Sequence, residues 1–329
     1  ELVDHGVDCF DRAVSLLEGY RRLYVLSRLY QQRKLSPYVL KTWKRIIEGG
    51  EDRGGELGTD GELQVRRYLG NISNQELVKK YGVWLAKRNP KLGVEVFADD
   101  KIKAPKLVPT EVVALLRKEA PDAVKYYLEH LVFRKGSTAY INELITYYLD
   151  IVINDLQSSP GSRATATASY EAYRALRPPK PTYRQFLTDN APPDDEAWQS
   201  RLRLLQLLGG AHDYDAAAIR QRIDSSLAEF SSEHGVPPPP PHKQQQKQPQ
   251  QKQRLLVPEA IILNGRLHDH EDSLRLLVHH LGDYDSAVSY CLRGGLSLSF
   301  NNATSAPSQV KQPPPSKETQ SHLFHVLLS

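Results

Sequence analysis

His268-Asp269-His270-Glu271, with His279-His280 further along, has the composition of a metal cluster. Zinc sites draw on Cys or His at defined spacing, and no Cys lies near these residues. Successive residues of a helix point about 100° apart, so His279 and His280 cannot both face one ion. The group reads instead as a polar turn opening a helix, with acids where the helix dipole favours them. Asp4, His5, Asp8 and Cys9 read the same way. A Cys9–His5 nucleophile would need an electropositive setting to ionise the thiol, and none is indicated. Gly49-Gly50-Glu51-Asp52-Arg53-Gly54-Gly55 is glycine-rich like a phosphate loop, but it lacks the Gly-Lys-Ser/Thr ending. Glu48, Glu51, Asp52 and Glu56 would repel phosphate, so a connector is expected there.

Arg174-Ala175-Leu176-Arg177-Pro178-Pro179-Lys180-Pro181-Thr182-Tyr183-Arg184 is more specific. It puts cations, prolines and an aromatic ring into one extended stretch. It reads either as a connector pinned over the helices or as a docking strip for an acidic partner surface. In the second reading Arg174, Arg177, Lys180 and Arg184 make the contacts. Pro237 to Pro241 reads as a spacer, or as a polyproline II ligand for an SH3 or WW domain. The Lys/Gln tract after it is at best a weak lipid contact. No paired carboxylates, nucleophile elbow or cofactor fingerprint is found. No catalytic, cofactor-binding or metal-binding residue is assigned, and an enzyme is not expected.

The elements that must position these residues are helical. Leu274, Leu277, Val278 and Leu281 recur at helical spacing. After Gly282-Asp283, Tyr284, Ala287, Val288 and Cys291 form a second inward stripe, and Gly294-Gly295 closes the pair. Further stripes are Val39/Trp43/Ile46/Ile47, Leu77/Tyr81/Trp84/Leu85 and Val124/Tyr127/Leu128/Leu131, the last opened by Pro121 and Asp122. Thr110 is the expected N-cap of the helix carrying Val112, Val113, Leu115 and Leu116. Only Val94 to Phe97 alternates like a strand, too briefly to found a sheet. The expected fold is all-α, an α-solenoid of stacked helical hairpins with disordered Pro/Gln-rich insertions. Abundant Tyr (17, against 7 Phe) suits interfaces in which the ring is buried and the hydroxyl stays wet.

Composition bounds the rest. The 329 residues are 40% hydrophobic and 25% charged, with a net charge of +4. Lys243, Lys247, Lys252 and Arg254 stand against Glu233 alone, so most of that excess lies on a Pro/Gln segment. A nucleic-acid binder concentrates cations on a folded face, so that role is disfavoured. No run of about 18 apolar residues occurs, and no membrane-spanning helix is expected. The start has no signal-peptide pattern, and two distant thiols, Cys9 and Cys291, fit a reducing, cytoplasmic setting. Without a single Met, the sequence reads as an excised part of a longer polypeptide.

Breaks in composition divide the chain into solenoid hairpins at 1–157, a Pro-rich connector at 158–197 with one short helix around Tyr170 to Leu176, and a helical hairpin at 198–230. A disordered Pro/Gln/Lys linker at 231–254, a hairpin at 255–296, a disordered linker at 297–322 and the start of a further helix at 323–329 follow.

Ala123 to Val132, with its Lys125-Tyr126-Tyr127-Leu128-Glu129-His130-Leu131-Val132, resembles a stretch of the family that includes TGF-beta-receptor-associated protein and the vacuolar-sorting subunits of the endosomal tethers CORVET and HOPS. Glu259 to Leu267, His270-Glu271, Leu274 to His279 and Leu281 to Cys291 are similar to that family's C-terminal hairpin. Leu23 to Tyr30 and Val39 to Ile47 resemble hairpins upstream, and Arg177 to Phe186 with the Pro/Gln insertion is most like fungal members. The position that often holds Met in the family's Pro-Glu-Met-Ile-Ile-Leu stretch is Ala260.

The resemblance implies a non-enzymatic solenoid section of a CORVET-type subunit, with a HOPS-type paralogue or a receptor-associated signalling adaptor as the alternatives. It implies docking onto a shared core subunit, and Rab GTPase binding through an N-terminal propeller that this chain lacks. It also implies a peripheral place on endosome or vacuole membranes, serving membrane fusion and protein transport.

Overall fold

The computed structural model describes residues 9–54, 57, 60–98, 106–229, 255–295 and 317–328. The expected linker at 231–254 with Pro237 to Pro241, the residues Asp4, His5 and Asp8, and most of the expected linker at 297–322 lie outside them. The described residues hold seventeen helices and no strand. The fold is all-α and solenoid-like, and it divides into two compact units, Glu1–Ser137 and Thr138–Ser329.

The first unit runs α1 (Phe10–Gly19), α2 (Leu23–Gln32), α3 (Ser36–Ile47), α4 (Gly61–Leu69), α5 (Gln75–Arg88), α6 (Pro90–Phe97), α7 (Pro109–Glu119) and α8 (Pro121–Glu129), the last continued by a π-helical turn, His130–Arg134. Helices adjacent in sequence pack on one another. The reason is local, because several turns are a single residue followed by proline. Asn89 ends α5 and caps α6, its Oδ1 accepting from the Leu92 amide at 3.2 Å while Pro90 takes the first helical position. Ala120 likewise ends α7 and precedes Pro121 at the first position of α8, without a side-chain cap. The helices so folded back bury Leu26, Val39, Leu40, Trp43, Leu69 and Leu85 in one core, each worth about 1.5–3 kcal/mol on the scale of apolar transfer. The Trp43 indole donates to Ser27 Oγ at 2.8 Å, and that hydroxyl donates to the Tyr24 carbonyl at 2.7 Å, so these two buried polar side chains are satisfied.

Val94 to Phe97 belongs to α6 and is helical. Gly93 lies so close to Ala86 that an added Cβ would sit 2.3 Å from the Ala86 Cα. This close crossing of α5 and α6, with the Asn89-Pro90 start, overrides a four-residue alternation compatible with either period. Thr110 is the second helical residue rather than the cap, because Pro109 already opens α7. The acidic Gly loop is indeed non-helical, and Asp52 Oδ1 lies 3.4 Å from the Tyr24 amide in the first turn of α2.

The second unit comprises α9 (Ile141–Ser158), α10 (Pro160–Ala175), α11 (Tyr183–Asp189), α12 (Glu196–Leu208) and α13 (Ala216–Glu229), then α14 (Val257–Arg266), α15 (His270–Arg275) with a π-helical turn at Leu276–Leu281, α16 (Tyr284–Leu292) and α17 (Lys317–Leu328). Three expectations are corrected here. The 158–197 interval carries the sixteen-residue α10 as well as α11, because Ser159 caps it, Pro160 opens it and alanines populate it. In 198–230, α12 packs on α9 and α14 while α13 packs on α14. The long apolar face of α9, with Leu144, Ile145, Tyr148, Leu149 and Val152 all buried, demands a partner as apolar as Leu204, Leu205 and Leu208 of α12. The last helix begins at Lys317, with Leu323 fully buried and Gln320 Nε2 donating to the Leu292 carbonyl at 2.8 Å.

Candidate partner-docking surface

The basic, Pro-bearing connector leaves α10 at Ala175 and enters α11 at Tyr183. Its course is set by Tyr173, whose ring packs tilted against Tyr183 (centroids 4.6 Å apart) and edge-to-face against Phe186 (5.3 Å). The Tyr173 hydroxyl proton has two acceptors, Asp283 Oδ2 at 2.6 Å and the Pro181 carbonyl at 2.8 Å. Asp283 is buried, and its Oδ1 accepts from the Ser286 amide at 3.0 Å as the N-cap of α16. One turn upstream on α10, the Tyr170 hydroxyl donates to the His280 carbonyl at 2.7 Å and adds a second tie.

Lys180 completes this arrangement. Its ammonium donates to the carbonyls of Tyr173 (3.3 Å), Arg174 (3.1 Å) and Leu281 (3.1 Å), and lies 5.1 Å from the Tyr173 ring centroid. The end of α10 and the turn before α16 are therefore neighbours. That turn needs Gly282, whose φ of +60° closes the π-helical segment, with the Asp283 amide donating to the Leu277 carbonyl at 2.9 Å. Of the four predicted contact residues, Arg174 and Arg177 are exposed, Lys180 is used internally, and Arg184 is half-buried. Burial pulls the Arg184 guanidinium below its ordinary value.

Beneath lies a buried ion pair. Arg201 of α12 donates from Nε to Glu259 Oε1 at 2.7 Å, and from its outer nitrogen to Glu259 Oε2 (3.1 Å) and the Leu255 carbonyl (2.6 Å). Burial alone would lower the Arg201 pKa, and the facing Glu259 carboxylate reverses that and raises it. Tyr183 is pushed up to about 12, first by burial. Cys291 is buried in the core, and burial raises its pKa, so its thiol is no nucleophile.

The helix α16 presents an outer stripe. Tyr284, Val288 and Leu292, four residues apart, are 61%, 41% and 54% exposed, whereas Ala287, Tyr290 and Cys291 face inward. The inward stripe expected from sequence is thus split: Tyr284 and Val288 point out, and Tyr290 takes the buried place. Fixing Asp283 as the cap sets this rotation, and the larger Tyr290 ring fills the interior with its hydroxyl 2.7 Å from His270 Nδ1. Sequence reasoning missed this surface and the role of Asp283. The signal available was Asp283 just before the Tyr284–Cys291 repeat, three residues ahead of Ser286, the spacing of an N-cap.

His268 and Asp269 flank the start of α15, where Asp269 Oδ1 accepts from the Asp272 amide at 3.3 Å. Among the described residues no group of three or more His, Cys, Asp or Glu is placed to hold a metal ion. No helix among them is long and apolar enough to cross a membrane.

No family model matches the chain, and no solved structure matches it. Curated proteins do. TGF-beta receptor-associated protein 1 of Mus musculus is 24% identical over 281 residues, covering 84% of this chain and 26% of the relative. The vacuolar protein sorting-associated protein 39 homolog of Caenorhabditis elegans is 26% identical over 286 residues, covering 86% and 26%. Vacuolar protein sorting-associated protein 3 of Schizosaccharomyces pombe is 25% identical over 189 residues, covering 57% and 20%. The chain spans about a quarter of the length of the first two relatives. Its homologues are thus TGF-beta receptor-associated protein 1 and vacuolar sorting-associated proteins, at low identity.

Proposed function

We propose that this chain is a non-enzymatic, solenoid-like section of a subunit of a multisubunit endosomal tethering complex. In this reading it is CORVET-like and fungal, and it acts in endosome fusion and endosome-to-vacuole transport by docking onto a shared core subunit. The full-length protein engages a Rab GTPase through a separate N-terminal propeller and sits peripherally on endosome or vacuole membranes. The observation that carries the reading is the outer stripe of Tyr284, Val288 and Leu292. It lies in a segment that resembles the tether family, and large exposed apolar side chains in register suit a helical partner better than water.

The Lys180 tie joins the end of α10 to the turn before α16, and the exposed Arg174 and Arg177 lie on the chain on either side of that end. The adaptor reading is weakened, because one of its four basic residues, Lys180, is used to hold the fold. The similarity to the protein 39 homolog favours a HOPS-type paralogue as the second reading.

Calorimetric titration of the chain against the purified core subunit tests the proposal, with GTP-loaded endosomal Rab as control. Saturable core binding that is lost in Tyr284→Ser/Leu292→Ser supports it. Rab binding without core binding sinks it, and binding unaffected by the double variant moves the interface elsewhere.

A further inference from the structure

A cleft of about 120 Å³ opens between α13 and the α14–α15 pair, over a floor that includes Ile223 and Leu256. Its polar lining is Arg220, Asp224, Asn264, Asp272, Arg275 and His280. Asn264 is 3% exposed, and its Oδ1 accepts from the Arg220 guanidinium. A guanidinium can only donate, so this contact fixes which way the amide points. The Asn264 Nδ2 group is then a buried donor bordering the cleft with no acceptor. Buried amide donors in folded proteins are nearly always satisfied, so this one marks a place for an acceptor from outside.

The surrounding charges restrict what that acceptor is. Both oxygens of Asp224 are already engaged by Arg220 Nε, at 3.0 and 3.2 Å. Arg275 holds Asp272 only loosely, at 3.9 Å, and is exposed. A single carboxylate can take the Asn264 amide and the Arg275 guanidinium together, with charge-assisted bonds. Asp224 and Asp272 on the same walls oppose any anion, and they oppose a phosphate dianion about twice as strongly as a singly charged carboxylate.

We propose that this cleft is a binding site for the side-chain carboxylate of a Glu or Asp presented by a partner polypeptide. This deepens the docking reading above and rests on it only for which protein supplies the acid.

The test uses the full chain labelled with 15N. The Asn264 side-chain NH2 signals are assigned by their loss in Asn264→Ser. They are then followed during titration with Ac-Ala-Ala-Glu-Ala-Ala-NH2, with the same peptide carrying Gln, and with inorganic phosphate. The expected result is a saturable shift with the Glu peptide, about tenfold weaker with Gln or phosphate, as loss of one charge-assisted contact implies. Arg275→Gln, a change at an exposed side chain, should weaken the Glu response about fivefold or more without moving the remaining spectrum. An equal response to Gln, a stronger response to phosphate, no response at all, or an unaltered response in Arg275→Gln each overturns the proposal. Core-subunit calorimetry reports on the docking reading separately, so either can fail while the other stands.

Discussion

The hydroxyl of Tyr173 and the carboxylate of Asp283 meet at 2.6 Å, 110 residues apart in sequence, and join the end of α10 to the cap of α16. Through this contact the end of α10, with Arg174, and the connector with Arg177 are held against the turn that caps α16. The bond is shielded, since burial first and then the neighbouring Asp283 raise the Tyr173 pKa.

Tyr173→Phe should therefore destabilise the second unit by about 1.5–3 kcal/mol, the cost of removing a donor from a buried charged acceptor. Urea unfolding followed by circular dichroism checks this. A cost within error of zero would mean that the Ser286 amide alone satisfies the Asp283 carboxylate. The raised pKa also sets a sign: the native state keeps its phenolic proton longer than the unfolded chain. Stability should thus fall as pH rises above about 10, and fall less in the Phe variant.

Arg201 and Glu259 provide a cleaner energetic contrast, because both are buried and bonded through two nitrogens. Arg201→Met strands a carboxylate with no exposure and should cost about 3–5 kcal/mol. Arg201→Met/Glu259→Leu should recover most of that loss, since no charge then remains to be desolvated. Chemical denaturation of the single and double variants decides the matter. A double variant as unstable as the single one would point to packing rather than charge.

In the first unit, Gly93→Ala should destabilise by about 1–3 kcal/mol, although Ala is the better helix former. The added methyl meets backbone atoms of Ala86, which cannot rotate away as a side chain could. Thermal melts should show a lower midpoint. A raised midpoint would mean that α5 and α6 separate at little cost.

Acid sensitivity should trace to His270. Burial lowers its pKa first, the neighbouring His268 and His322 lower it further, and Asp269 opposes them. Below the ordinary value of 6.5 the unfolded chain takes up a proton that the folded chain resists, so stability drops as pH falls through the lowered pKa. His270→Gln should flatten the dependence of the melting temperature between about pH 7 and about pH 5. An unchanged slope would place the sensitivity on another group.

Local chemistry made much of this protein legible. Helical periodicity announced the all-α class. Pro121 after Ala120 marked the start of α8, and Asp269 with His270 marked the opening of α15, all from residues within one turn of each other. Burial of Cys291 and of Tyr127, Leu128 and Leu131 also followed from their stripes. The exposed arginines of the connector could be named but not separated from Lys180, because nothing near Lys180 in sequence reveals three carbonyls waiting for it.

What the sequence by itself determined is which segments are helical and roughly which residues are apolar on each. Tertiary structure decided which of two overlapping stripes on α16 faces inward, that α12 pairs with α9, and that Val94 to Phe97 completes a helix. Those choices depend on neighbours distant in the chain: the fit of Tyr290 against His270, the leucines that cover α9, and the close approach of Gly93 to Ala86. Periodicity fixes the angles between side chains on one helix, whereas only packing against another fixes where that helix points them.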